Sequence, residues 1–176
     1  PEYSLQVLLM IAHFCSDFDR EGNNRFNYLA DLLSKHGHNV ELVTSDFSHE
    51  RKEKRNVVNL NRLNYKVTFI KEPKYKKNVS LKRFYSHYVM GKNLKRYLSS
   101  RKKPDIIYSA VPSLDAAKIA ANFANKNNIK YIIDVQDLWP EAFKMVFKVP
   151  LFDKILFYPM KKIANYIYST ADEIIA

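Results

Sequence analysis

The sequence is short of the residues that usually announce a chemistry. It holds one cysteine, three glycines and one tryptophan in 176 residues. Cys15 has no second thiol to form an intrachain disulfide or share a thiolate metal site, which fits a reducing compartment. Gly22, Gly37 and Gly91 cannot supply a G-x-G-x-x-G turn after the first strand or a P-loop, which disfavours dinucleotide-binding and P-loop nucleotidase classes. No apolar run reaches the roughly 18–20 residues that span a bilayer. The opening Pro1-Glu-Tyr-Ser lacks the basic start and small-residue cleavage site of a secretory signal, so a cytoplasmic location is expected. His36, His38, His49 and His87 lack metal-ligand spacing beyond a weak pair near a turn, and neither a metal nor a cofactor is expected. No internal repeat occurs.

What is present is apolar mass and positive charge. At 47% hydrophobic residues the chain is long enough for one buried core, and residues 1–176 are read as one domain. Of the net charge of +11, residues 51–103 contribute 18 Lys and Arg against two acids, Glu53 and Glu72. Such a field suits the phosphates of nucleic acid, of an anionic membrane or of a pyrophosphate-bearing lipid. The competing reading is a solvated face with a mobile loop.

Hydrophobic periodicity alternates along the chain. Leu5 to Ala12 is nearly unbroken apolar sequence, as in a parallel strand covered on both faces. Phe26, Leu29, Ala30 and Leu33 recur at helical spacing, and Gly37 suits a left-handed cap. Further strands are predicted at residues 39–44, 66–70, 105–109 and 130–135, and another buried one begins at Asp172. Residues 46–66 read as a long connection. Leu81, Phe84, Tyr88, Gly91, Leu94 and Leu98 are expected on one helical face, opposite a face dense in Lys and Arg. Ala116, Ile119, Ala120 and Phe123 mark another helix. A last helix is predicted from about Leu151 to Ser169, interrupted at Pro159. Each parallel connection needs a crossover, so the alternation predicts an α/β, Rossmann-like open parallel sheet with helices on both faces.

The stretch Tyr131-Ile-Ile-Asp-Val-Gln-Asp-Leu-Trp-Pro-Glu141 breaks from a buried strand into acids, the tryptophan and a proline. In an open α/β sheet, ligand-handling groups collect just past such strand ends. Together with Glu21-Gly22-Asn23-Asn24-Arg25, residues 29–45, Pro104 to Leu114 and the closing Ala171-Asp-Glu-Ile-Ile-Ala176, it resembles the N-terminal half of family 4 glycosyltransferases of the GT-B fold. The similarity covers nearly the whole chain, is weakest over residues 46–100, and looks closest to bacterial enzymes of capsule or O-antigen polysaccharide assembly. It implies an acceptor-side domain of a retaining enzyme that moves sugar from a nucleotide-sugar donor to a glycan or lipid-pyrophosphate-linked acceptor. Most donor contacts would lie in a second, C-terminal domain that nothing here matches, so these residues alone are expected to lack transferase activity.

The resemblance places Gly22, Asn23, Asn24 and Arg25 near the donor phosphates, where a helix start offers unpaired N–H groups. Asn23 stands where many relatives have a second glycine, and Gly22 has the alternative of easing a tight turn. Asp137 is the candidate for acceptor positioning or charge stabilisation, ranked above Asp134. Its alternative is capping the next turn, with Trp139 packed on the core. Gln136 occupies a position where many relatives carry histidine, and an amide cannot serve as a base. His13, Ser109, Ser113, Gln136, Trp139 and Glu141 are the candidate acceptor contacts, with a satisfied structural histidine and an ordinary helix cap as alternatives for His13 and the serines. The aromatic and basic stretch from Met145 to Tyr168 suits either peripheral contact with a membrane or packing against a second domain. Two other classes stay open: a non-catalytic acceptor-binding subunit of a split transferase, and a basic nucleic-acid module, although no specific nucleic-acid signature is present.

Overall fold

The computed structural model describes residues 5–18, 25–55, 60–78, 80–111, 113–137 and 157–176. Strands β1 (Val7–Ile11), β2 (Asn39–Ser45), β5 (Lys66–Ile70), β6 (Ile106–Val111), β7 (Lys130–Val135) and β8 (Glu173–Ile175) form one sheet in the order β5-β2-β1-β6-β7-β8. Every pairing in it is parallel. The fold is therefore the expected α/β, Rossmann-like open parallel sheet. The chain winds outward from β1 through β2 to β5, then returns beside β1 at β6 and winds the other way. The junction of β1 and β6 is thus the point where strand order reverses, the place where such sheets bind ligands.

Side chains alternate across the strands and feed two cores. Met10, Leu42 and Tyr108 lie on the face covered by α1 (Arg25–Lys35), which contributes Phe26 and Ala30. Leu9, Ile107 and Ile133 lie on the other, under α2 (Leu81–Ser100), α3 (Leu114–Asn127) and α4 (Tyr158–Thr170). Each fully buried aliphatic side chain contributes about 1.5–3 kcal/mol. The helix α1 ends at Gly37, whose φ of +92° is the left-handed conformation expected there. Ser80 caps α2, accepting from the Arg83 amide at 3.2 Å.

Three expectations change. The connection after β2 contains a short antiparallel hairpin, β3 (Phe47–Ser48) with β4 (Glu53–Lys54). It is held because Arg55 reaches back to Asp17 at 2.6 Å, and Arg51 does so at 2.8 Å. In α2 the apolar residues do not share one face: Leu81, Phe84 and Tyr88 are exposed, whereas Gly91, Leu94 and Leu98 are buried along with Ser86 and Met90. Pro159 stands in the first turn of α4, where its missing N–H costs nothing; the earlier part of the helix predicted from Leu151, residues 151–156, lies outside the described residues. The strand β8 is an exposed edge strand, with Glu173, Ile174 and Ile175 open to solvent.

Candidate functional site

The carboxyl ends of four neighbouring strands deliver polar side chains to one place. His13 follows β1, Ser45 ends β2, Glu72 follows β5 and Ser113 follows β6. His13 lies between the others, its Nδ1 2.6 Å from the Ser113 hydroxyl and its Nε2 2.8 Å from a Glu72 carboxylate oxygen. The Ser45 hydroxyl donates to that same oxygen, and the Ser86 hydroxyl of α2 donates to the other, each at 2.5 Å. All five residues are buried.

Burial alone would push the Glu72 carboxyl up. The hydrogen bond and charge of His13, with the two serine hydroxyls, outweigh it and hold the group down at about 2. Glu72 is therefore ionised at neutral pH and accepts from His13 Nε2–H, while Nδ1 of the same ring shares a hydrogen bond with the Ser113 hydroxyl. A carboxylate behind an imidazole and a hydroxyl before it is an arrangement able to orient the ring and pass a proton.

Aromatic and histidine rings wall this network. His13 stacks on Phe14 with centroids 4.4 Å apart and meets His87 edge-on at 4.8 Å. Burial, then the charges of His13 and other neighbours, pushes His87 down to about 3, and burial with Lys52 and Arg83 pushes His49 down to about 4. His49 hydrogen-bonds the Tyr75 hydroxyl. His13, Glu72 and His87 bring possible metal-ligand atoms within 4.8 Å of one another. Both His13 nitrogens and both Glu72 oxygens are already engaged, and Arg83 Nε donates to His87 Nε2 at 3.4 Å. The donor set fits a hydrogen-bond relay better than a cation site.

The other sequence candidates divide. The Gln136 amide donates to the Val111 carbonyl at 3.1 Å, so β6 and β7 end level. Ser113, Gln136 and Asp137 consequently share the carboxyl edge with His13, and both Gln136 and Asp137 are exposed. Ser109 is placed differently, fully buried within β6 opposite Ile11 and Ile133. Arg25 opens α1 and pairs through Nε with Asp134 at 3.1 Å, leaving half of its side chain exposed. Asp134 is wholly buried and also accepts from the Tyr108 hydroxyl at 2.7 Å. Gly22, Asn23, Asn24, Trp139 and Glu141 lie outside the described residues. Two hollows, of about 750 and 620 Å³, lie away from the carboxyl ends of the strands: one beside Asn128, Tyr131 and Tyr166, the other between α2 and α3.

Sequence reasoning missed Glu72, Ser45, Ser86 and His87 as members of this cluster. No local spacing joins residues 13, 45, 72 and 113, because the sheet brings them together from separate crossovers. The one available signal was Glu72 itself, an acid beside the end of a predicted strand in a segment almost devoid of acids.

Compared by sequence, the chain matches no family model and no curated protein. Compared by structure, it is similar to solved GT-B glycosyltransferases. UGT89C1 of Arabidopsis thaliana, complexed with quercetin, is 12% identical with a TM-score of 0.50, over 90% of this chain and 41% of that one. The calicheamicin glycosyltransferase CalG4 is 10% identical with a TM-score of 0.46, over 92% and 42%. MurG of Acinetobacter baumannii is 18% identical with a TM-score of 0.46, over 81% and 39%. The chain thus spans about two fifths of the length of these structures. At such identities the likeness, carried by UGT89C1, establishes the fold: an α/β, Rossmann-like sheet of the kind found in GT-B glycosyltransferases.

Proposed function

We propose that this chain is the acceptor-side lobe of a retaining glycosyltransferase resembling family 4, acting on a lipid-pyrophosphate-linked glycan in capsule or O-antigen assembly. The observation that carries the reading is the convergence of His13, Ser113, Gln136 and Asp137 on the carboxyl edge beside the reversal of strand order. Sugar transfer needs an acceptor hydroxyl held close to the anomeric carbon and donors or positive charge for the departing pyrophosphate. Asp137, exposed at that edge, orients the acceptor hydroxyl, and Gln136 hydrogen-bonds the sugar. His13, fixed by Glu72 and Ser113, lines the floor beneath them. The first turn of α1, with Arg25, faces the donor phosphates. In a retaining reaction on one face of the sugar the leaving phosphate itself takes the proton, so no protein base is required. The donor is gripped mainly by a second lobe, as the family resemblance implies.

The test is turnover by the full-length protein with a panel of nucleotide sugars and a lipid-pyrophosphate acceptor, comparing the native form with Asp137→Asn. Loss of about 10²-fold or more in kcat is expected if Asp137 acts on charge or position in the transition state. Unchanged turnover removes Asp137 from the mechanism.

A further inference from the structure

We propose that the outward face of α2 is a membrane-docking surface that seats on the anionic headgroups of a bilayer. Leu81, Phe84, Tyr85 and Tyr88 are 86%, 50%, 61% and 64% exposed. They recur at i, i+3, i+4 and i+7, one stripe along the helix, and exposed Lys92, Lys95 and Arg96 continue that same face toward its carboxyl end. The opposite face, with Met90, Leu94 and Leu98, is committed to the core. The stripe is therefore not a misplaced core face but a second apolar surface on the same helix.

Charge identifies the occupant. From Pro73 to Pro104 the sequence carries 11 Lys and Arg and no acid. Among the described residues, no ion pair engages Lys74, Lys76, Lys77, Lys82, Lys92 or Lys95, all of them exposed. Several other cations of the basic segment are spent on internal acids: Arg51 and Arg55 on Asp17, Arg101 and Lys66 on Glu41. A helix with an aliphatic and aromatic stripe continued by cations fits the interfacial plane, its apolar groups reaching the acyl boundary while lysines meet phosphates. Nucleic acid offers phosphates and stacking surfaces, but no apolar medium for Leu81, the most exposed member of the stripe.

The geometry gives docking a consequence. Ser86 and His87, in the same turns of α2, point inward to Glu72 and His13. Seating the stripe would hold the strand-end cluster about one helix diameter, ~10–12 Å, from the headgroup plane. The inference deepens the lipid-linked acceptor reading, and its test is independent of turnover so that the two can fail separately.

The experiment is cosedimentation of the full chain with vesicles of pure phosphatidylcholine and of equimolar phosphatidylcholine and phosphatidylglycerol. Binding is expected only to the second, falling as salt rises above about 0.1 M. The double variant Phe84→Ser/Tyr88→Ser, at exposed positions, should keep the native melting temperature and bind roughly tenfold more weakly or worse. Lys92→Gln/Lys95→Gln should cost about fivefold per lysine. Equal binding to both vesicles, or binding unchanged in both variants, overturns the proposal. So does duplex DNA or RNA that binds the native chain at physiological salt, loses affinity in the same variants and finds vesicles unbound. Turnover on a short-chain, water-soluble acceptor is followed in parallel: vesicle binding lost with that turnover intact supports the surface. Vesicle binding retained by a protein with no turnover also supports the surface, and counts only against sugar transfer.

Discussion

Glu72 accepts hydrogen bonds from His13, Ser45 and Ser86, and removing it would take an ionised acceptor from three buried polar groups at once. Glu72→Ala is therefore expected to cost roughly 3–5 kcal/mol, measurable by denaturant unfolding. The same residues set the acid sensitivity of the fold. Glu72 is held at about 2 against an ordinary 4.5, so its contribution is full above pH 4.5 and is lost as pH falls through about 2. His87 and His49, held neutral at about 3 and about 4 against 6.5, bind protons more readily when unfolded, so they also favour the fold at higher pH. Their loss begins earlier, as pH drops below 6.5. Stability should thus decline from pH 6.5 downward, by about 1.4 kcal/mol per pH unit for each histidine while it is the group responsible. His87→Phe should flatten the decline between pH 6.5 and 4.5 by about half. An unaltered profile in that variant would mean that His87 is solvated and titrates normally. At this scale the sequence showed the candidates at strand ends, His13, Ser113 and Asp137, because strand ends can be read from local pattern. It could not show that Glu72 rather than a neighbour of His13 is the histidine's partner, since that contact crosses 59 residues of chain.

Among the elements, α2 carries the most consequence and was the hardest to read. Its apolar residues recur at spacings of three and four throughout, so periodicity alone joins Leu81, Phe84 and Tyr88 to Leu94 and Leu98. The structure separates them: the first three look outward and the last two pack on the sheet. The signal that distinguishes the sets is Ser86, Met90 and Gly91, a small or flexible stripe suited to close approach. A Cβ added at Gly91 would come within 2.9 Å of the Ile119 side chain on α3. Leu94→Ala should accordingly cost about 2–5 kcal/mol, whereas Leu81→Ala should change stability by no more than about 0.5 kcal/mol. Equal costs at the two positions would mean that the outward stripe is covered. The helix also depends on its start: Ser80→Ala, which deletes the acceptor for the Arg83 amide, should cost about 1 kcal/mol in a thermal melt. The hairpin of β3 and β4 was invisible for a related reason. Its strands are two residues long, and what fixes them is the long-range pairing of Arg51 and Arg55 with Asp17.

For the whole molecule, the alternation of apolar runs and amphipathic stretches was enough to reach a parallel sheet, because the central strands are buried on both faces and each helix on one. Strand order was not in that pattern; it follows from which crossovers pack against β1, and it is the order that places His13 and Ser113 side by side. No helix of the described residues is long and apolar enough to cross a membrane. The central claim is that the carboxyl edge at β1, β6 and β7 receives the acceptor. The most direct measurement is a map of backbone amide NMR shifts on adding a short-chain polyprenyl-pyrophosphate sugar. The account expects the changes to cluster at His13, Ser113, Gln136 and Asp137. Changes confined to the hollow beside Asn128, Tyr131 and Tyr166, with the strand ends silent, would contradict it.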